Sequence, residues 1–227
     1  MPRFDVVTFD CYGTLIDWET GIRESFARAA ASDGVTLAPS EVLAAYAEIE
    51  PAVEAEAYRS YRDVLAETAS RVAQRLGWRL PEDRRFLLAE SLPSWRPFPD
   101  TNPALRRLAS AGCRLGILSN IDDDLLAETR RLLEVSFEPV VTAAQVRSYK
   151  PASGHFLEAR RRLGPGARWL HAAQSYFHDV EPCKRLGIPV AWINRGRHQA
   201  GHAGSPDWEM PDLARFADWM ESAGPAD

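Results

Sequence analysis

The chain has few cysteines, no long apolar run and no excess of basic residues. Its three cysteines, Cys11, Cys113 and Cys183, are odd in number and widely spaced. That spacing suggests neither a disulfide framework nor a zinc site. No apolar stretch approaches the ~20 residues needed to span a bilayer, so no membrane association is expected. Residues 1–5 lack the apolar core of a signal peptide and run straight into a strand pattern. The net charge is −5 with both signs mixed along the chain, whereas a nucleic-acid binder would normally carry a basic stripe. There is no internal repeat and no low-complexity stretch. The expected setting is the cytoplasm. What is present is an ordinary globular composition, 45% hydrophobic and 26% charged over 227 residues. A chain of that length buries roughly 70% of its unfolded surface, enough for a core domain with a smaller inserted one.

The rhythm of the chain divides it. Residues 4–10 form a short apolar, β-branched run ending in an acid, the pattern of a buried parallel strand. From Trp18 to about Leu92 the spacing is helical: Val42, Leu43, Tyr46 and Ile49 in one stretch, Val64, Leu65, Val72 and Leu76 in another. Pro51 either begins a helix or kinks one, and Gly77 closes the second stretch. Pro93, Pro97 and Pro99 then mark a break. Beyond it helices and strands alternate, with strands expected at 114–118, 139–142, 168–173 and 189–193. Helices are expected at 101–111, 122–133, 152–163 and 178–186. The tail 194–227 reads as a Gly/His/Ser-rich loop and a short helix. This alternation predicts an α/β fold: a Rossmann-like, doubly wound parallel sheet with an inserted helical cap. The expected core is 1–15 plus 96–227, and the expected cap is 16–95.

Ligands in open parallel sheets bind beyond the carboxyl ends of the strands. Four polar groups fall there: Asp10, Ser119-Asn120, Lys150 and the loop from Gln174 to Asp179. Singly each has an ordinary explanation. Asp10 could be a turn residue, Ser119-Asn120 and Asp179 could cap helices, and Lys150 could be solvated. Together, at one edge of one sheet, they point to a site. Cys11 beside Asp10 is a weak rival nucleophile, because strand alternation turns it away and no His–Cys pairing is visible.

In order along the chain, Phe9-Asp10-Cys11-Tyr12-Gly13-Thr14-Leu15, Leu118-Ser119-Asn120, Tyr149-Lys150-Pro151 and Asp179 with the following Lys184-Arg185-Leu186-Gly187-Ile188-Pro189 resemble the four motifs of the haloacid dehalogenase superfamily. The resemblance covers nearly the whole chain. Phosphatases of that superfamily carry a second aspartate two residues after the nucleophile, where this chain has Tyr12. They also use an acid about where Gln174 stands. A phenol with a reference pKa near ~10 is a poor leaving-group acid, and a neutral amide is a poorer ligand for a hard dication. The L-2-haloacid dehalogenases of the superfamily have tyrosine at the position of Tyr12.

The resemblance to these dehalogenases implies a metal-free and cofactor-free reaction on a small anionic 2-haloacid. Asp10 would displace halide and form an ester, and water would then release a 2-hydroxy acid. It assigns catalysis to Asp10, Thr14, Lys150 and Asp179. Lys150 would keep the nucleophile ionised, and Asp179 would position or deprotonate water. Substrate binding falls to Cys11, Tyr12, Ser119, Asn120, Gln174 and Tyr176. A homodimer is also implied.

Some positions depart from the pattern. No arginine lies at 44–48, where these dehalogenases usually supply one. Arg23, Arg59 and Arg62 are the other arginines to consider, and each reads first as a surface residue. Phe156 stands where these enzymes often have tyrosine. His178 reads as a helix N-terminal residue that could instead tune Asp179. Four alternatives remain at this level: a magnesium-dependent phosphatase, a C–N or C–F hydrolase of the same kind, an Asp10-ester enzyme opening a strained ring, and a non-catalytic binder of small anions.

Overall fold

The structure is a computed structural model that describes residues 3–201 and 204–222. The chain divides into two compact units. One comprises Met1–Ile16, Pro97–Asn120 and Leu132–Asp227, and the other Asp17–Arg96 and Ile121–Arg131.

The first unit is built on a six-stranded sheet: β1 (Val6–Phe9), β2 (Arg114–Ser119), β3 (Val140–Thr142), β4 (Trp169–Ala173), β5 (Val190–Ile193) and β6 (Trp208–Met210). The order is β3-β2-β1-β4-β5-β6, and every neighbouring pair is parallel. β1, β4 and β5 are buried throughout, which is why they read as unbroken apolar runs. The order reverses direction at β1, which places the crevice beyond the carboxyl ends of β1 and its neighbours. Five of the strands were expected from the sequence. β6 was not: its three residues are only partly buried and offer no apolar run. The expected tail helix is present as α10 (Leu213–Ser222). Part of the expected loop, 202–203, and the last residues, 223–227, lie outside the described residues.

Helices α5 (Thr101–Ser110), α7 (Ala143–Val146), α8 (Gly154–Leu163) and α9 (Glu181–Leu186) complete this unit with α10. The helix expected at 178–186 starts later than anticipated. A turn of π-helix, Tyr176–Val180, comes first. Ser175 Oγ accepts the N–H of His178 at 3.1 Å and so caps that turn. π-turns interrupt regular hydrogen bonding and recur at functional positions; here the turn carries Asp179.

The helical unit contains α1 (Trp18–Ala31), α2 (Pro39–Glu54), α3 (Tyr61–Arg75), α4 (Leu87–Ser91) and α6 (Asp123–Arg130). Asp17 caps α1 by accepting Thr20 N–H at 3.1 Å, and Ser60 caps α3 by accepting Asp63 N–H at 3.2 Å. α2 continues through Pro51 to its last turn, so that proline neither starts nor ends a helix. Gly21 lies against the indole of Trp95, and any side chain there would collide with it. The sequence-based boundary of 16–95 omitted Ile121–Arg131, which groups with this unit. The reason is polar and non-local. The Asp122 carboxylate accepts the Tyr61 and Arg62 N–H groups at 3.0 and 2.9 Å, satisfying free donors at the start of α3. The three arginines considered from sequence are surface residues of this unit. Arg23 donates to Thr20 Oγ1, and Arg59 and Arg62 pair with Glu56 and Asp124.

Candidate active site

Asp10 continues β1 by one residue, donating its N–H to Ala172 O at 3.1 Å. The chain then turns at Gly13, whose φ of 94° is open to glycine and strained for other residues. The turn brings Thr14 back so that its Oγ1 donates to Asp10 Oδ2 at 3.0 Å. The same oxygen accepts the Gln174 N–H at 2.9 Å. That second bond occupies a lone pair and leaves the hydroxyl proton for Asp10. Arg195, following β5, donates to Thr14 O at 3.0 Å, pairs with Asp100 at 3.1 Å and lies 4.0 Å over the Phe98 ring. The turn after Asp10 is therefore held from the end of β4, from the loop after β5 and from the start of α5.

Lys150 joins the two carboxylates. Its Nζ donates to Asp10 Oδ1 at 2.9 Å, to Asp179 Oδ1 at 2.6 Å and to Leu118 O at 2.9 Å. All three ammonium protons are used. The side chain is 1% exposed, Asp179 0% and Asp10 7%, so of the three only Asp10 reaches solvent to any extent. Asn120 fixes the Lys150 backbone from both sides. Its Nδ2 donates to Lys150 O at 3.1 Å, and its Oδ1 accepts Lys150 N–H at 2.7 Å.

The electrostatics follow from burial and proximity. Burial pushes the Asp10 carboxyl above its ordinary value, with Lys150 opposing and Asp179 adding to the shift. For Asp179 burial acts upward too, but Lys150 and His171 outweigh it and hold the group well below the usual range, so it is ionised. Burial would lower Lys150, and the two carboxylates more than reverse that. A desolvated Asp10 carboxylate carries little competing hydration.

The structure brings some of the expected site residues together and engages others in separate contacts. Asp10, Thr14, Lys150 and Asp179 are brought together, with Ser119 buried at the end of β2. Asn120 was expected to bind substrate, but its amide is committed to the Lys150 backbone, which makes it a support for that lysine. Cys11 is wholly buried, and burial with the Asp10 charge keeps its thiol protonated; its carbonyl accepts Leu15 and Ile16 N–H to close the turn. Gln174 contributes through its backbone, with its N–H on Thr14 and its carbonyl accepting Trp192 Nε1 at 2.8 Å. Tyr176, expected to bind substrate, donates its hydroxyl to the Gly204 carbonyl, with the Gly201 carbonyl 3.3 Å away, and packs its ring edge-on against Trp192 at 5.2 Å. His178 hydrogen-bonds Ser175 as a turn residue, and burial lowers its pKa to about 4. Tyr12 follows Asp10 on the same turn, bridged to Ile16.

Three buried or half-buried groups escaped the sequence reading: His155, His171 and Arg195. His155 Nε2 lies 3.0 Å from Ser119 O, and burial together with Lys150 lowers its pKa to about 3, so it is neutral and donates there. The one available signal for His171 was a titratable residue inside an otherwise apolar strand.

The donor set suits magnesium poorly. The ammonium of Lys150 already bridges the two carboxylates that a dication would use, and Tyr12 and Gln174 supply no further carboxylate. Among the described residues no group of three or more His, Cys, Asp or Glu is arranged to hold a metal ion. No helix among them is long and apolar enough to cross a membrane.

Comparison with known proteins agrees with this geometry. An (S)-2-haloacid dehalogenase of Pseudomonas putida is 27% identical over 148 residues, 64% of this chain and 65% of that one, just under two thirds of the relative's length. A second P. putida enzyme, (S)-2-haloacid dehalogenase H-109, is 23% identical over 225 residues, 97% of this chain and 99% of the other. The L-2-haloacid dehalogenase of Xanthobacter autotrophicus shares the fold, with a TM-score of 0.83 at 20% identity over 97% of this chain and all of that one. The haloacid dehalogenase-like hydrolase family matches residues 4–182. With its motifs converging on one buried carboxylate–ammonium–carboxylate cluster, the chain belongs to the haloacid dehalogenase-like hydrolase family.

Proposed function

We propose that this protein hydrolyses the carbon–halogen bond of small 2-haloalkanoic acids, without a metal, through an ester on Asp10. The observation that carries the reading is a desolvated carboxylate backed by Lys150, with Tyr12 where a leaving-group acid would stand. An alkoxide leaving group needs a proton, whereas a halide departs without one. Names of similar proteins support the same chemistry: (S)-2-haloacid dehalogenases and a haloacetate dehalogenase of Moraxella.

In the first step an Asp10 oxygen attacks the halogen-bearing α-carbon in line. The C–O bond forms, the C–X bond breaks, and halide leaves with the electron pair. The cluster of Asp10, Asp179 and Lys150 thereby passes from a net charge of about −1 to neutral. In the second step Asp179 takes a proton from water as the water oxygen adds to the Asp10 carbonyl carbon. The acyl C–O bond breaks, and the departing alkoxide takes that proton as the 2-hydroxy acid of inverted configuration. Asp10 sheds the remaining proton to solvent. Ser119, at the end of β2, is the side chain assigned to the substrate carboxylate. Assembly as a homodimer belongs to the same proposal and rests on the family resemblance, and the cytoplasmic setting is an expectation from the sequence.

The test is free-halide release from each 2-chloropropionate enantiomer and from fluoroacetate, with and without EDTA, beside p-nitrophenyl phosphate with magnesium. Halide release that survives EDTA and is lost in Asp10→Asn is the expected result. Magnesium-dependent phosphate release without halide would replace this reading with a phosphatase.

A further inference from the structure

We infer that His171 is a positioning residue that orients Asp179 for hydrolysis of the Asp10 ester. The inference rests on the two-step reading above. It begins from the sheet register, which pairs Thr8 of β1 with His171 of β4. Trp169, two residues earlier on β4, projects from the same face of the strand. Thr8 and His171 are fully buried, and Trp169 is nearly so. Trp169 Nε1 donates to Thr8 Oγ1 at 2.7 Å, and Thr8 Oγ1 lies 2.8 Å from His171 Nδ1. His171 Nε2 lies 2.9 Å from Asp179 Oδ1.

Donor chemistry fixes the two ends of this chain. An indole N–H can only donate, so Thr8 Oγ1 accepts from Trp169 and keeps its remaining hydrogen-bonding capacity for His171 Nδ1. Asp179 is ionised and can only accept, so His171 Nε2, 2.9 Å from its Oδ1, carries a proton and donates it there. Phe156, perpendicular to the imidazole at 5.4 Å, holds the ring plane.

The consequence falls on Asp179. Lys150 alone is a single contact about which the carboxylate could swing. The second donor, from His171, converges on the same oxygen, Oδ1. Oδ2 is buried and has no hydrogen-bond partner among the described residues. It is the oxygen left to take the proton of the hydrolytic water, and the two bonds to Oδ1 determine where it lies. Halide displacement uses Asp10 and Lys150, so loss of His171 falls on the second step.

The experiment is single-turnover kinetics with 2-chloropropionate, following halide release and 2-hydroxypropionate formation separately, with intact-mass detection of the Asp10 ester. In His171→Met the ratio of ester hydrolysis to halide release should fall about 10- to 100-fold, the loss of a hydrogen bond to a charged acceptor, and the ester should accumulate. His171→Gln, which retains a side-chain N–H donor, should recover part of the ratio. Thr8→Val, close in shape to threonine, removes the hydrogen-bond partner that holds the ring at Nδ1. It should move the ratio in the same direction, and it carries the test if His171→Met does not fold. Unchanged ratios, or equal slowing of both steps in the soluble variants, would overturn the role of His171 while leaving the dehalogenase reading intact. Absence of halide release from the parent protein would instead overturn that reading.

Discussion

Lys150→Met tests the electrostatic core of the site most directly. Methionine keeps the volume and removes the charge. In the parent, Lys150 Nζ sits 2.9 Å from Asp10 Oδ1 and 2.6 Å from Asp179 Oδ1. At those separations each attraction is about 6 kcal/mol at an effective dielectric of ~20. Without the ammonium, two buried carboxylates face the point it occupied, and they cannot both stay ionised. One takes a proton. Holding a proton at about pH 7.5 on a group with an ordinary value of 3.8 costs about 5 kcal/mol, at ~1.4 kcal/mol per pH unit. The same cost at about pH 5 is ~2 kcal/mol. The sign follows from proton counting. The folded variant binds one proton more than its unfolded chain, so its stability falls as pH rises above about 4. Urea unfolding of parent and variant at about pH 5, 6.5 and 8 measures this, and halide release should be lost throughout. A stability deficit that is constant across pH, or below about 1 kcal/mol at every pH, would refute the reasoning.

Two further outcomes follow from the hydrogen bonds. Thr14→Val should cost about 1–3 kcal/mol of stability and slow halide release, because it strips a partner from both Asp10 Oδ2 and the Gln174 N–H; Thr14→Ser should behave nearly as the parent, and equal losses in both would count against the orienting role. In the helical unit, Glu50 accepts the Tyr61 hydroxyl at 2.9 Å, and burial raises its pKa to about 7. Because that folded value lies above the ordinary 4.5, the parent loses stability as pH rises from about 4.5 to 7. Glu50→Gln should therefore unfold later than the parent at about pH 8, by about 1–2 kcal/mol for a half-buried group, and match it near pH 4.5; a variant less stable at pH 8 would sink the argument.

Much of the fold was legible in the sequence because its signals are local. An apolar run ending in Asp10, helical spacing from Val42 to Leu76, and strands alternating with helices after Pro99 each depend on neighbouring residues. Those patterns, with four motifs at strand ends, determined the α/β class, five of the six strands, and Asp10, Lys150 and Asp179 as the residues to watch. The sequence was silent where the energetics are non-local. Thr8 and His171 are 163 positions apart, Arg195 and Thr14 181, and Asn120 and Lys150 30. β6 is too short and too little buried to leave a pattern. The fate of the Tyr176 hydroxyl depends on a loop that passes over it. Buried polar groups must find partners, but any of many residues can serve, and only the tertiary structure selects them. The sequence thus determined which polar groups gather at the strand ends, and the fold alone decided which oxygen of each carboxylate is held and by what.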